Sequence, residues 1–263
     1  MLTEQQTAHW NAFGFVVLPK LFTPEEVKQL KIATTKVINQ NDGTQAFSNP
    51  PTWALGASCE RHPLLTDWLV DDRIYSIPQQ LLGPDFLLET NAASIFWGDT
   101  LWHGGFSPQE SPESFYTVAK VVMYFDTLNK DNGCLRVIPG THLRPFGQHV
   151  WPQQNLNNRD AKPFGVSQED VPSVPLESEP GDVIVFTERV LHSAFGGKKG
   201  RLQLSSEYSI NPVTEEQISK LLSEHDRLKY SHHPSQSFID SSNPRIQRMV
   251  SRLIELGYTP LQV

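Results

Sequence analysis

Residues 181–210, GDVIVFTERVLHSAFGGKKGRLQLSSEYSI, decide the fold. A Gly-Asp turn leads into the apolar run VIVFT, and after a Gly-rich stretch RLQLSSEYSI alternates apolar and polar residues, the period of a strand with one buried face. Working outward, FLLET (86–90), AASIFW (92–97), TVAKVVMYFD (117–126) and CLRVIP (134–139) are runs of the same kind, separated by Gly, Pro, Asn and Asp. Toward the N-terminus, Thr3 to Phe13 reads as a short helix, Gly14 to Pro19 as a strand, and Thr23 to about Asn39 as a helix. Thr23 and Glu26 form a capping box there, and Val27, Leu30 and Ile32 supply apolar positions. Helical periodicity returns near Arg73 to Leu82, from Val213 to Leu228 and from Pro244 to Leu256. The expected fold is mainly β with flanking helices, a double-stranded β-helix (jelly roll) of the cupin type. The absence of βα alternation sets aside Rossmann and TIM folds. Residues 1–263 are expected to form one domain, with a helical N-terminal part at about 1–85, a β core at about 86–212 and C-terminal helices at about 213–263.

The chain is 38% hydrophobic and 19% charged and carries six Trp, six Tyr and 14 Phe, a composition that buries a core and excludes a disordered chain. A net charge of −7 provides no basic field, so a small-molecule substrate is expected, with neither a nucleic-acid polymer nor a membrane as partner. The two cysteines, Cys59 and Cys134, lie outside any CxxC or zinc spacing and suit a reducing compartment. MLTEQQTAHW shows no basic segment followed by an apolar one, and no stretch nears the roughly 20 apolar residues of a membrane span, so the expected location is cytoplasmic.

Nine histidines are present, and most have ordinary uses. His9, His62 and His149 fall in surface elements, His232 and His233 in the polar loop KYSHHPS, and His142 beside the PGTH turn, where local backbone groups need partners. His103 and His192 differ in their surroundings. His103 lies in WGDTLWHGGF (97–106) after a strand, and His192 follows the buried run GDVIVFTERVL. Two strands distant in sequence can present both imidazoles to one metal across a jelly-roll interior. Non-haem iron oxygenases use two neutral imidazoles and usually one carboxylate, leaving open positions for a bidentate oxo-acid and for oxygen. The common H-x-D/E spacing arises because residues i and i+2 of a strand share a face.

On these residues the chain resembles the phytanoyl-CoA dioxygenase-like family of iron(II)/2-oxoglutarate enzymes. The likeness is carried by GFVVLPKLFTPEEVKQL (14–30), GDTLWHGG (98–105), KVVMYFDTLNKDNGCLRVIPGTH (120–142) and GDVIVFTERVLHSAFGGKKGRLQLSSEY (181–208). It implies an oxidoreductase that uses Fe(II), 2-oxoglutarate and O2, with His103 and His192 as metal ligands. It also implies that Arg201, nine residues after His192, pairs with the distal carboxylate of 2-oxoglutarate. A planar guanidinium offers the two parallel donors such a carboxylate needs. Lys120 occupies a strand position from which it could approach the co-substrate.

The chain departs from the family's H-x-D motif at Gly105, which offers no carboxylate. Halogenating members of the wider superfamily replace that carboxylate by Gly or Ala and bind a halide instead, so Gly105 resembles a halogenase feature. Losing the carboxylate opens room beside the metal and leaves a charge deficit that chloride can meet. The expected function is chlorination of an unactivated carbon of a free small molecule (an amino acid, a nucleoside or nucleotide, or a natural product). Fe(II), 2-oxoglutarate, O2 and chloride would be required, with His103, Gly105 and His192 at the catalytic centre. Two other readings stay open: a hydroxylase in which Asp99, Glu110 or Glu113 supplies the carboxylate, and a catalytically silent small-molecule binder. Apart from KKGR (198–201), basic residues cluster only at Arg245, Arg248 and Arg252, which read as one solvated helix face, so a carrier protein is not expected. Trp97, Trp102, Phe106 and Phe195 lie near the expected metal site and could stack a planar group, although core packing is their ordinary use.

Overall fold

A computed structural model describes residues 1–40, 45–46, 52–104, 117–150, 160–197, 200–227 and 234–261. Among these residues eleven strands form two antiparallel sheets. The strands are β1 (Phe15–Leu18), β2 (Gln45–Ala46), β3 (Thr52–Gly56), β4 (Leu87–Phe96), β5 (Thr100–His103), β6 (Val118–Tyr124), β7 (Leu135–Ile138), β8 (Val174–Leu176), β9 (Val183–Thr187), β10 (Leu191–Ala194) and β11 (Arg201–Ser209). The major sheet has seven strands in the order β1-β9-β6-β11-β4-β3-β2, and the minor sheet four, in the order β5-β10-β7-β8. This is the expected double-sheet jelly roll.

Strand alternation sorts side chains between two cores. Val121 and Met123 of β6, Val183 and Val185 of β9, and Leu204 of β11 pack against the helices with Leu30, Leu65, Ile77 and Met249. Their neighbours Val122, Tyr124, Ile184 and Phe186 face the other way and pack with Leu135 and Val137 of the minor sheet. The inner face of the major sheet is therefore the wall on which a site can be built.

The helices are α1 (Glu4–Phe13), α2 (Pro24–Asn39), α3 (Pro63–Val70), α4 (Asp72–Leu82), α5 (Phe146–Val150), α6 (Glu215–Arg227), α7 (Gln236–Ile239) and α8 (Pro244–Glu255). Both α1 and α2 start with a complete capping box, Thr3 with Gln6 and Thr23 with Glu26. Helix α2 buries Val27, Leu30, Ala33, Thr34 and Val37, whereas Ile32 is 61% exposed, because a stripe with this spacing leaves position 32 on the opposite side.

Three expectations need correcting. The N-terminal part holds more than the one strand expected at Gly14 to Pro19, which is β1 paired with β9: β3 pairs with β4, so the major sheet is extended on both sides. FLLET and AASIFW are one strand, β4, because the Asn91 side chain between them is satisfied in place: Oδ1 accepts from Cys59 N–H at 2.7 Å and Nδ2 donates to Glu60 at 2.9 Å. The arginines of α8 are not merely solvated. Arg245 donates to the Val70 carbonyl and lies over the Tyr75 ring at 4.8 Å, and Arg248 donates to the Pro84 carbonyl at 2.8 Å, so α8 is tied to the ends of α3 and α4. Among the described residues no helix is long and apolar enough to cross a membrane.

Burial pushes the Glu60 carboxyl up to about 7, against the opposing hydrogen bond from Asn91. A carboxyl raised in the folded state binds its proton more tightly there than in the unfolded chain, so it contributes stability at low pH that is lost as pH rises through about 4.5 to 7. Glu60→Gln should flatten this segment of the stability–pH curve and stabilise the protein at pH 8 by about 1–3 kcal/mol. Urea unfolding at pH 5 and pH 8 checks it.

Candidate active site

Strands β5 and β10 pair antiparallel with His103 directly opposite His192. The ring centroids are 3.9 Å apart at an interplanar angle of 54°. In each residue Nδ1 lies 2.8 Å from the carbonyl oxygen two positions earlier, Leu101 for His103 and Val190 for His192. Nδ1–H is therefore the donor, and the free lone pair is on Nε2, the tautomer a metal ligand requires. Burial holds both imidazoles below the usual histidine range, His192 well below it with His103 adding to the effect, so both are neutral at pH 7. The sequence suggested imidazoles facing one another across the interior; they are instead neighbours on adjacent strands of the minor sheet.

Gly104 permits this approach. Its φ is +90°, and a Cβ there would lie 2.6 Å from the Val190 carbonyl oxygen and 2.7 Å from that of Glu188. The end of β5 can reach the turn between β9 and β10 only without a side chain. Gly105, Phe106, Glu110, Glu113, Lys198, Lys199, His232 and His233 lie outside the described residues.

Arg201, the first residue of β11, is 5% exposed. Its guanidinium packs against two adjoining glycines: a Cβ on Gly133 would stand 2.0 Å from Nη1, and one on Gly197 1.7 Å. These are the glycines of DNGC and AFGG, so both motifs have a steric reason. Nη1 has no hydrogen-bond partner, which for a buried cation costs several kcal/mol unless an anion meets it. Burial depresses the Arg201 pKa, with Tyr124 and Asp99 opposing that effect. Asp99 accepts from the Gly196 N–H at 2.7 Å, the turn role its GDT setting suggested. His103, His192 and Arg201 line one cavity, together with Lys120, Tyr124 and Gln203 and with apolar Val122, Leu135 and Phe186.

Lys120 lines this cavity but is not free for a co-substrate. Its Nζ lies 2.6 Å from Glu207 and 3.0 Å from Glu188. Burial alone would lower its pKa, but the two carboxylates outweigh burial and keep it charged. Glu188 also places Oε2 3.9 Å from His192 Nε2. Sequence reading missed Glu188, Glu207, Gln203 and Tyr124. Strand parity was the available signal, since Gln203 and Glu207 share the inner face with Arg201, and Tyr124 shares it with Lys120. Glu188 follows a strand in a turn, where parity says nothing. Among the described residues no three His, Cys, Asp or Glu side chains stand together as a metal-holding group.

Of the expected aromatic residues, Trp102 and Phe195 are buried with their rings 6.2 Å apart, and Trp102 Nε1 donates to the Gln168 carbonyl at 2.8 Å. They are core. His142 also serves the fold, though not locally: its Nε2 is 3.2 Å from the carbonyl oxygen of Asn11, and its ring fills the space beside Gly14.

The family model for phytanoyl-CoA dioxygenase (PhyH) matches residues 98–201, the segment that contains both histidines and ends on Arg201. Among curated relatives, the multifunctional dioxygenase prhA of Penicillium brasilianum is 25% identical over 206 residues, covering 69% of this chain and 62% of its own length. The dioxygenase sphC of Aspergillus fumigatus is 24% identical over 215 residues, covering 70% of this chain and 52% of its own. This chain thus spans just over half to two thirds of the length of such relatives. HygX of Streptomyces hygroscopicus, solved with nickel and 2-oxoglutarate bound, superposes with a TM-score of 0.64 at 16% identity, over 81% of this chain and 89% of that one. The non-haem α-ketoglutarate-dependent carbocyclase SnoK from nogalamycin biosynthesis gives 0.61 at 19% identity, over 80% and 84%. The fold is that of the non-haem iron, 2-oxoglutarate-dependent enzymes, and residues 98–201 carry the phytanoyl-CoA dioxygenase pattern.

Two glycine substitutions separate the halves of the site. Gly104→Ala should push β5 from the 187–190 turn and weaken divalent-metal binding at least tenfold. Gly197→Ala should displace the Arg201 guanidinium and weaken 2-oxoglutarate binding while metal affinity stays within about threefold of the parent. Calorimetric titration with Mn(II), then with 2-oxoglutarate on the metal-loaded protein, reads both.

Proposed function

We propose that the protein is an iron(II)- and 2-oxoglutarate-dependent enzyme that oxidises an unactivated carbon of a free small molecule. The observation that carries this reading is Arg201, a buried guanidinium with an unpartnered Nη1 in the same cavity as two neutral imidazoles whose Nε2 atoms are available. The residues fit the cofactors. His103 and His192 would hold the metal through Nε2, and Arg201 would take the distal carboxylate of 2-oxoglutarate in a charge-assisted pair. When bound, iron(II) and 2-oxoglutarate supply with O2 an oxidant able to attack an unactivated carbon as the oxo-acid becomes succinate and carbon dioxide. The chain's own residues do the rest. The Leu101 and Val190 carbonyls keep the imidazole tautomers fixed, Val122, Leu135 and Phe186 keep water from the cavity and strengthen the guanidinium–carboxylate attraction, and the Gln203 amide and Tyr124 hydroxyl offer polar contacts beside Arg201.

Two outcomes of the oxidation are supported by different residues. Oxygen transfer is favoured by Glu188, a carboxylate 3.9 Å from His192 Nε2. Chlorination is favoured by Gly105, which leaves the usual carboxylate position without a side chain. A carboxylate this close to His192 weighs against a halide and for a cation. Oxygen transfer is therefore the first reading.

Anaerobic addition of Fe(II) and 2-oxoglutarate should give a weak visible charge-transfer band that is absent in His103→Ala and His192→Ala. Exposure to O2 should release succinate. Arg201→Ala should weaken 2-oxoglutarate binding by about 2–5 kcal/mol. No succinate with iron, ascorbate, O2 and a metabolite extract would leave a ligand-binding protein only. Chloride separates the two outcomes: under oxygen transfer it leaves the band unmoved, whereas under chlorination it shifts the band in the parent and not in Gly105→Asp.

A further inference from the structure

We infer that Glu188 is the third protein ligand of the metal site, supplied from the turn between β9 and β10 rather than from the position two residues after the first histidine. The inference rests on the reading that a divalent metal sits on His103 and His192. Three observations carry it. Glu188 Oε2 is 3.9 Å from His192 Nε2, whereas two ligand atoms about 2.1 Å from one metal and at right angles stand about 3 Å apart. A shift of about 1 Å by a side chain with three rotatable bonds closes that gap.

Next, Lys120 does not need Glu188. Its ammonium lies 2.6 Å from Glu207 and 3.0 Å from Glu188, so one carboxylate can leave and the buried cation keeps the closer partner. The carboxylate that leaves Lys120 stands beside His192, where its negative charge complements a divalent cation.

Finally, the turn is held where the histidines are. Val190 N–H donates to the Thr187 carbonyl at 3.0 Å, Arg189 N–H lies 3.3 Å from the Thr187 hydroxyl, and the Glu188 and Val190 carbonyls both abut Gly104. The element that places Glu188 is thus in contact with both histidine-bearing strands. Oxygen transfer follows as the outcome, because the carboxylate takes the room and meets the charge deficit that a halide would otherwise serve.

Anaerobic Co(II) titration, followed by calorimetry and by visible absorption, tests the assignment in the parent and Glu188→Gln. Glu188→Gln should lose at least tenfold in Co(II) affinity and show a changed Co(II) spectrum. Parental affinity and spectrum in Glu188→Gln would overturn the inference. So would weaker binding with an unchanged spectrum, which would mark a through-space charge effect. If His103→Ala and His192→Ala bind Co(II) as well as the parent, it is the underlying metal reading that fails. Should Glu188→Gln not fold, a crystal structure of the Co(II)-loaded parent decides. A Glu188 oxygen within about 2.2 Å of the metal supports the assignment. Glu188 left on Lys120 with Glu110, Glu113 or an anion in its place overturns it.

Discussion

The register that sets His192 opposite His103 is the constraint from which the rest of the site follows. A slip of one residue in either strand would turn an imidazole to the other face of the minor sheet. Several contacts fix that register. On its other edge β10 pairs with β7, His192 opposite Val137, and the Leu191 N–H donates to the Thr141 hydroxyl at 2.8 Å. Gly104 lets the end of β5 close against the following turn. With the register set, each histidine satisfies its own Nδ1–H on a backbone carbonyl, and burial keeps both neutral.

The major sheet contributes the charged half. Its outer face is apolar and carries the helices, while its inner face carries Lys120 and Tyr124 on β6 and Arg201, Gln203 and Glu207 on β11. Such a stripe is tolerable inside a jelly roll only because its charges have partners or await one. Lys120 has two carboxylates, and Arg201 packs against glycines with one donor unmet. That contrast separates the two cations: one has its countercharge within the fold, and the other keeps a donor that a ligand's carboxylate would meet.

Much of this was legible in the sequence where a local rule applied. Apolar and alternating runs marked β6, β9 and β11, the Thr23–Glu26 capping box marked the start of α2, and the settings of His103, His192 and Arg201 singled them out. What could not be read depended on pairing between distant segments. Strand β5 is four residues long with no clear alternation, so its pairing with β10, and hence the adjacency of the histidines, was invisible. Glu188 sits in a turn, where its reach toward His192 and Lys120 depends on how β9, β10 and β6 meet. The arginines of α8 looked solvated because their acceptors, the Val70 and Pro84 carbonyls, lie more than 160 residues away in sequence. The same holds for His142 and Asn11, which are 131 residues apart.

One cavity should hold both a metal on His103 and His192 and a dicarboxylate on Arg201. An anaerobic crystal structure of the protein loaded with Fe(II) and 2-oxoglutarate decides this. Metal should sit on both Nε2 atoms, with the distal carboxylate of 2-oxoglutarate paired to the Arg201 guanidinium beside Gly133 and Gly197. Metal bound elsewhere, or 2-oxoglutarate bound away from Arg201, would show that the cavity is not built in this way.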